Sequence, residues 1–306
     1  MWTLLVVPWV IGFISVPNLL RVYSEARWGA LFWVFLFGFI WGFSAVAFGT
    51  GLDYLGLGLG YSLMMGLIIS VGAILPLVTE HPESILKLNG LAIIAGVVVI
   101  IVGVVLNAWS AVMKEKDLVD STAEDKHVEK KSLLKGLIIC TVAGVTAPAL
   151  NYVFIYGEQL RATAERLGAS ETLASISIWP IALFAGFLVN IIYCTWLVNK
   201  NKVWGRYGEK GTGLYYLYTL IMGILWAGST AIYGMAAANL GKLGPSIGWA
   251  ILLGTAILWA NVLGIFTGEW KGVGKKSLWV MTVGLVVLLG GICIVGWAKF
   301  IAISVN

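Results

Sequence analysis

The sequence has little of what a water-soluble domain puts on its surface. Charged residues make up 11% of 306 positions, histidine occurs twice and cysteine three times. An ordinary soluble globule carries charge on about a quarter of its residues, so that class is excluded. His81 and His127 both sit in polar stretches, and no Cys or His pair has metal-ligand spacing. Cys140, Cys194 and Cys293 each fall inside an apolar run and read as small core residues, not as a disulfide framework. The apolar runs hold no Ser/His/acid set, and there is no Gly-x-x-x-x-Gly-Lys-Ser/Thr loop. The sequence therefore shows no enzyme signature, and neither a metal nor a cofactor is expected.

What the chain does have is apolar length. Hydrophobic residues make up 59% of it, gathered into windows of about 20, the length that crosses a hydrocarbon core roughly 30 Å thick. Nine such spans are expected, at 1–19, 30–51, 57–78, 89–112, 136–157, 173–198, 214–235, 246–267 and 278–303. The runs are continuous, whereas barrel strands would be about ten residues long and alternate in polarity. The expected fold is an all-α polytopic membrane protein with the lipid bilayer as its solvent and no soluble domain left over. The first run lacks a basic leader and is interrupted by Pro8 and Pro17, which argues against a cleaved secretory signal. Asn107 reads as the end of the fourth span.

Lys and Arg number 20. Thirteen of them (Lys114, Lys116, Lys126, Lys130, Lys131, Lys135, Lys200, Lys202, Arg206, Lys210, Lys271, Lys275 and Lys276) fall in three alternate loops, which leaves seven for the other side. The richer side is expected in the cytoplasm and the C-terminus outside. The net charge of +5 thus reports orientation at helix ends and implies no nucleic-acid partner.

Laying each residue over the one 185 positions later pairs Gly38 with Gly223, Trp41 with Trp226, Ser44 with Ser229, Gly49 with Gly234, Leu55 with Leu240 and Gly56 with Gly241. Phe48 meets Tyr233 in the same register. This reads as a duplication with an odd helix offset, which inverts one half in the membrane. The expected division is a first repeat at 1–112, a polar linker at 113–135 and a second repeat at 136–306. Four spans would face five, so a first helix is expected to be missing from the 5 + 5 pattern.

The alternating glycines of DYLGLGLGYSLMMG (53–66) lack the spacing of a dinucleotide loop, and apolar spans flank them. Gly56 and Gly60 read instead as the small-residue hinge of a helical hairpin, with Gly244 and Gly248 in the same place in the second half.

Four stretches, VFLFGFIWGFSAVAFGTGLDYLGLGLG (34–60), KGLII (135–139), LVNIIYC (188–194) and GEWKGVGKKS (268–277), resemble the L-rhamnose/proton symporter family of the drug/metabolite transporter superfamily. The resemblance implies ten helices in two inverted halves, with sugar and proton carried together by alternating access. It begins at what would be the family's second helix. Ala45, Ala47 and Phe48 depart from it, standing where the family's helix carries two amides and a tyrosine. That departure keeps open an exporter or permease of another metabolite. A non-transporting membrane scaffold is a third reading, disfavoured by the lack of any effector domain.

Polar groups inside apolar spans are costly and mark candidate solute contacts. Trp41, Ser44 and Phe48 share a helical face, and Trp226, Ser229 and Tyr233 repeat it, offering indole platforms and hydroxyls to a sugar. Asn151 with Tyr152 and Tyr156, Asn190 and Asn261 are further candidates. Trp179-Pro180 predicts a kink. No acid lies mid-span, so proton coupling falls weakly on Asp53 and Glu158 at helix ends. The expected partners are a small solute, most readily a sugar, and protons.

Overall fold

In the computed structural model, which describes residues 2–119 and 132–304, those residues contain helices and turns and no strand. Most of the polar linker, with His127 and its alternating acids and lysines, lies outside the described residues. Among the described residues, eight helices are long and apolar enough to cross a membrane, and a bent pair near the N-terminus makes up to nine. The pair is α1 (Trp2–Ser15) and α2 (Leu19–Glu25). The spans are α3 (Trp28–Gly56), α4 (Leu59–Glu80), α5 (Leu88–Asp117), α6 (Leu133–Arg166), α7 (Glu171–Asn201), α8 (Gly213–Asn239), α9 (Gly241–Phe266) and α10 (Lys275–Phe300).

Helix α5 shows why the pattern favours a membrane. Ile93, Val97, Ile100 and Val104 form a buried stripe, while Val98, Val102, Val105 and Trp109 form an exposed one. Both repeat at helical spacing, and the outward stripe is as apolar as the inward one. Water would penalise that exposed stripe, whereas lipid tails do not.

Three departures from the sequence expectation have local causes. The apolar run 1–19 is not one straight span: the chain bends by 96° between α1 and α2, with Pro17 and the left-handed Asn18 (φ 54°) at the corner. Asn107 does not end its helix, because α5 continues for ten further residues to Asp117. Helix α6 extends to Arg166, past the apolar stretch, because its last piece (Glu158–Arg166) holds its charges in i,i+3 and i,i+4 pairs among Glu158, Arg161 and Glu165.

Two breaks fall at or just before prolines, the second of them at the expected Trp179-Pro180 kink. Helix α6 is interrupted at Pro148, between Leu133–Thr146 and Ala149–Tyr156. Helix α7 tightens into a 3-10 turn over Ser175–Ile178 just before Trp179-Pro180. The Tyr23 hydroxyl donates to the Ser177 carbonyl at 2.8 Å, giving one backbone group of that turn a partner. The hinge expected at Gly56 is present: φ is +75° there, and the chain turns back so that Gly60 lies against the Gly51 carbonyl. Gly241, its partner in the 185-residue register, has φ +74°. Only glycine takes that backbone region without steric cost.

The chain forms two compact units. One comprises Met1–Val46 with Ala149–Gly241, the other Ala47–Pro148 with Lys242–Asn306. In the first, Gly38 and Gly42 of α3 cross Ala182 and Gly186 of α7 so closely that a β-carbon on Gly38 would lie 2.2 Å from the Ala182 carbonyl oxygen. In the second, Gly96 and Gly103 of α5 face Val295 and Leu288 of α10, while Gly284 and Gly291 of α10 face Asn107 and Ile100. Trp249 of α9 lies over Gly72 of α4 and donates its indole N–H to the Ile68 carbonyl at 3.0 Å. Small residues let helix backbones meet where lipid supplies no hydrophobic drive for association.

Gly38→Val is expected to destabilise the fold by about 1–3 kcal/mol through overpacking. Gly66→Ala, at a position with open space around it, is expected to be neutral or slightly stabilising. Thermal unfolding of the detergent-solubilised protein measures both, and equal midpoints would refute the close crossing.

Candidate functional site

The first unit gathers most of the expected site residues. The α3/α7 crossing places the Trp41 ring over Gly186, and the ring stacks on Trp226 of α8 with centroids 5.2 Å apart and planes 17° from parallel. The two indoles thus stack on one another, and a solute using either as a platform takes an outer face or parts the stack. Asn190 ties the same crossing together, donating from Nδ2 to the Gly186 carbonyl at 2.9 Å and to the Gly42 carbonyl at 3.5 Å.

A second polar pair lies deeper. The fully buried Tyr233 hydroxyl donates to Oδ1 of the fully buried Asn151. Phe154 and Trp179 flank the phenol at 6.2 and 6.3 Å. The Trp179 indole nitrogen is buried with no hydrogen-bond partner among the described residues. Tyr152 and Tyr156 stack on Phe37, at 5.5 and 5.2 Å, so the phenols of α6 extend the aromatic surface along α3. Ser44 is buried. Ser229 is exposed and returns its hydroxyl to the Trp226 carbonyl of its own helix.

The remaining three expected residues do not share these contacts. Asp53 is exposed near the end of α3. Glu158 is exposed and ion-paired with Arg161. Asn261 belongs to the second unit, where it donates to the Ile257 carbonyl at 2.9 Å and lines a cavity of about 360 Å³ with Asn107, Lys114, Glu269 and Trp270.

Sequence reasoning passed over Asn107, Lys114 and Trp270. Asn107 was visible as a mid-run amide, but it reads as a helix end unless α5 is known to continue. Lys114 and Trp270 fall outside the spans, where polar residues raise no alarm. Asp117 also gains a structural role: its Oδ2 accepts from the Gly274 amide at 2.9 Å and the Ser277 hydroxyl at 2.6 Å, capping the start of α10 from another helix.

A multi-pass helical membrane protein whose apolar helices converge on buried amides, phenols and indoles belongs to the transport class. Within that class, the chain belongs to the L-rhamnose-proton symport protein family, whose model matches residues 1–300. Similar proteins include the L-rhamnose-proton symporters of Pectobacterium atrosepticum (24% identical, covering 97% of this chain and 88% of the relative) and Mannheimia succiniciproducens (24%, 96% and 86%). That of Yersinia pestis strain Pestoides F is 22% identical over 95% of this chain and 85% of its own length. No solved structure matches the chain.

Tyr233→Phe removes the donor to Asn151 and is expected to cost about 1–3 kcal/mol, whereas Tyr233→Phe with Asn151→Leu should cost less than the sum of the two single changes. Unfolding midpoints of the four proteins measure the coupling, and strict additivity would show that the bond contributes nothing.

Proposed function

We propose that the chain imports a neutral deoxy sugar of the L-rhamnose type together with protons across a bacterial cell membrane, by alternating access. The observation that carries this reading is the end-to-end match to the symporter family, together with relatives named L-rhamnose-proton symporters that align along almost their full length. In this reading the Trp41/Trp226 stack, the Asn151–Tyr233 pair, Asn190, Ser44, Ser229 and Asn261 handle the solute. Indole faces offer apolar platforms to the C–H face of a sugar, and the amides and hydroxyls orient its hydroxyls. The proton falls to Asp53, near the end of α3, or to Glu158, which opens the charged last piece of α6, acids whose exposure would change between inward and outward states.

Two inverted repeats, 1–112 and 136–306, underlie the cycle. The positive-φ glycines at 56 and 241, in one register with the Trp41/Trp226 and Ser44/Ser229 pairs, support this duplication. The lysine-rich loops support a cytoplasmic placement for 113–135 and an outside C-terminus. A second reading, transport of a different metabolite on the same fold, is favoured by one observation: Ala45, Ala47 and Phe48 leave that stretch of α3 without hydrogen-bonding side chains.

Labelled L-rhamnose is expected to enter vesicles carrying the protein when the outside is made acid, and a protonophore should stop it. Failure of every deoxy sugar tested to respond to the gradient would refute sugar symport and leave the second reading. Trp41→Ala and Trp226→Ala are each expected to lower uptake at least about tenfold with the protein still in the membrane; normal uptake by both would confine the stack to packing. A reporter active only outside the cytoplasm should be active when fused after Asn306, and an inactive fusion would reverse the orientation.

A further inference from the structure

The second unit contains a cavity that the site described above touches only through Asn261. Its walls come from α4, α5, α9 and the turn before α10, with Asn107, Ala111 and Lys114 on α5, Asn261 on α9, and Glu269 and Trp270 on the turn. At about 360 Å³ it lies within the roughly 300–1,000 Å³ range of small-molecule sites.

Its chemistry is uneven. Alanine, glycine and aliphatic residues share the wall with aromatic and polar ones, and Asn107 brings in an acceptor with no partner. The residue is 7% exposed, and Nδ2 donates to the Gly103 carbonyl of its own helix at 2.8 Å while lying against Gly284 of α10. Oδ1 is buried and has no hydrogen-bond partner among the described residues. An unpaired buried acceptor beside a cavity calls for a partner, and an occupant of the cavity that carries a donor can supply one. Asn261 sits across the same space and adds a second amide, whose carbonyl oxygen is again an acceptor.

The rim is charged but balanced. Lys114 Nζ lies 3.5 Å from Glu269 Oε2 and 4.8 Å from the centre of the Trp270 ring, so its charge is met by a carboxylate and an indole face. With the lysine paired, the cavity presents no net charge to an occupant, which disfavours an anionic or cationic one. Small walls, amide acceptors and a neutralised rim fit a neutral molecule with several hydroxyl donors.

We propose that this cavity is a binding station for a neutral polyhydroxylated solute, with Asn107 Oδ1 and Asn261 Oδ1 accepting its hydroxyls and the Lys114–Glu269–Trp270 cluster forming its rim. The proposal deepens the transport reading, on which it rests for the identity of the solute as a sugar. It adds a station separate from the tryptophan stack of the first unit.

Two measurements on the full chain test it. In proteoliposome uptake, Asn107→Leu removes the unpaired acceptor at nearly constant volume, and Ala111→Phe fills the cavity without deleting a polar group. Each is expected to raise the half-saturating L-rhamnose concentration about tenfold, the effect of losing roughly one hydrogen bond or its room. Ala238→Ser, a change in the first unit away from both sites, should leave it unchanged. In detergent, a cysteine placed at Ala111, in a background with Cys140, Cys194 and Cys293 replaced by alanine, should react with a maleimide, and L-rhamnose, L-fucose or a hexitol should slow that reaction. A sodium salt at equal osmolarity should not. Unchanged half-saturation in both cavity variants, or no protection by any of these neutral solutes, overturns the station. Protection without gradient-driven uptake by the wild type refutes the symport reading and keeps the cavity, whereas uptake without protection does the reverse.

Discussion

Close approach of helix backbones is the constraint on which the rest of this molecule depends. Lipid tails are as apolar as leucine, so burying a leucine between two helices gains little over leaving it in the bilayer. What remains is contact, and contact requires thin helices. Gly38 and Gly42 meet Ala182 and Gly186 in one unit, while Gly96 and Gly103 meet α10 in the other, where Gly284 and Gly291 in turn admit Asn107 and Ile100. Polar side chains sit where these crossings put them: Trp41 over Gly186, Asn190 bridging the carbonyls of Gly42 and Gly186, and Asn107 against Gly284. A larger residue at any of these glycines would move a functional side chain as well as a helix.

The spans were legible because a membrane imposes a length and a solvent, and both are written in composition. Helix α8 (Gly213–Asn239) and helix α5 (Leu88–Asp117) enclose the stretches expected at 214–235 and 89–112. Their ends were less legible, because helices continue past the hydrocarbon where polar residues also form good turns, as Glu158–Arg166 does with its paired charges. The corner at Asn18 was hidden for another reason. Pro17 marks a break, but the 96° turn depends on a left-handed asparagine that no apolar pattern encodes.

For the site, position within a span proved informative and position outside it misleading. Tyr233 and Asn151 stand 82 residues apart, and polarity within apolar runs singled out both, yet only packing shows that they are partners. The stretch 268–277 carried the family resemblance through its sequence, but its physical meaning needed neighbours. Glu269 and Trp270 enclose Lys114, and Gly274 and Ser277 hold the carboxylate of Asp117. One short turn therefore both anchors α10 to the end of α5 and borders a cavity.

The Trp41–Trp226 stack has a consequence beyond its place in the first unit. Two near-parallel indoles at 5.2 Å are close enough for their electronic transitions to mix, so the pair absorbs circularly polarised near-ultraviolet light as a coupled unit instead of as two separate chromophores. Any step of a working cycle that slides or separates the rings rewrites that signal without an added label. Evolution has in effect built an optical strain gauge into the protein, across the place where three of its helices meet.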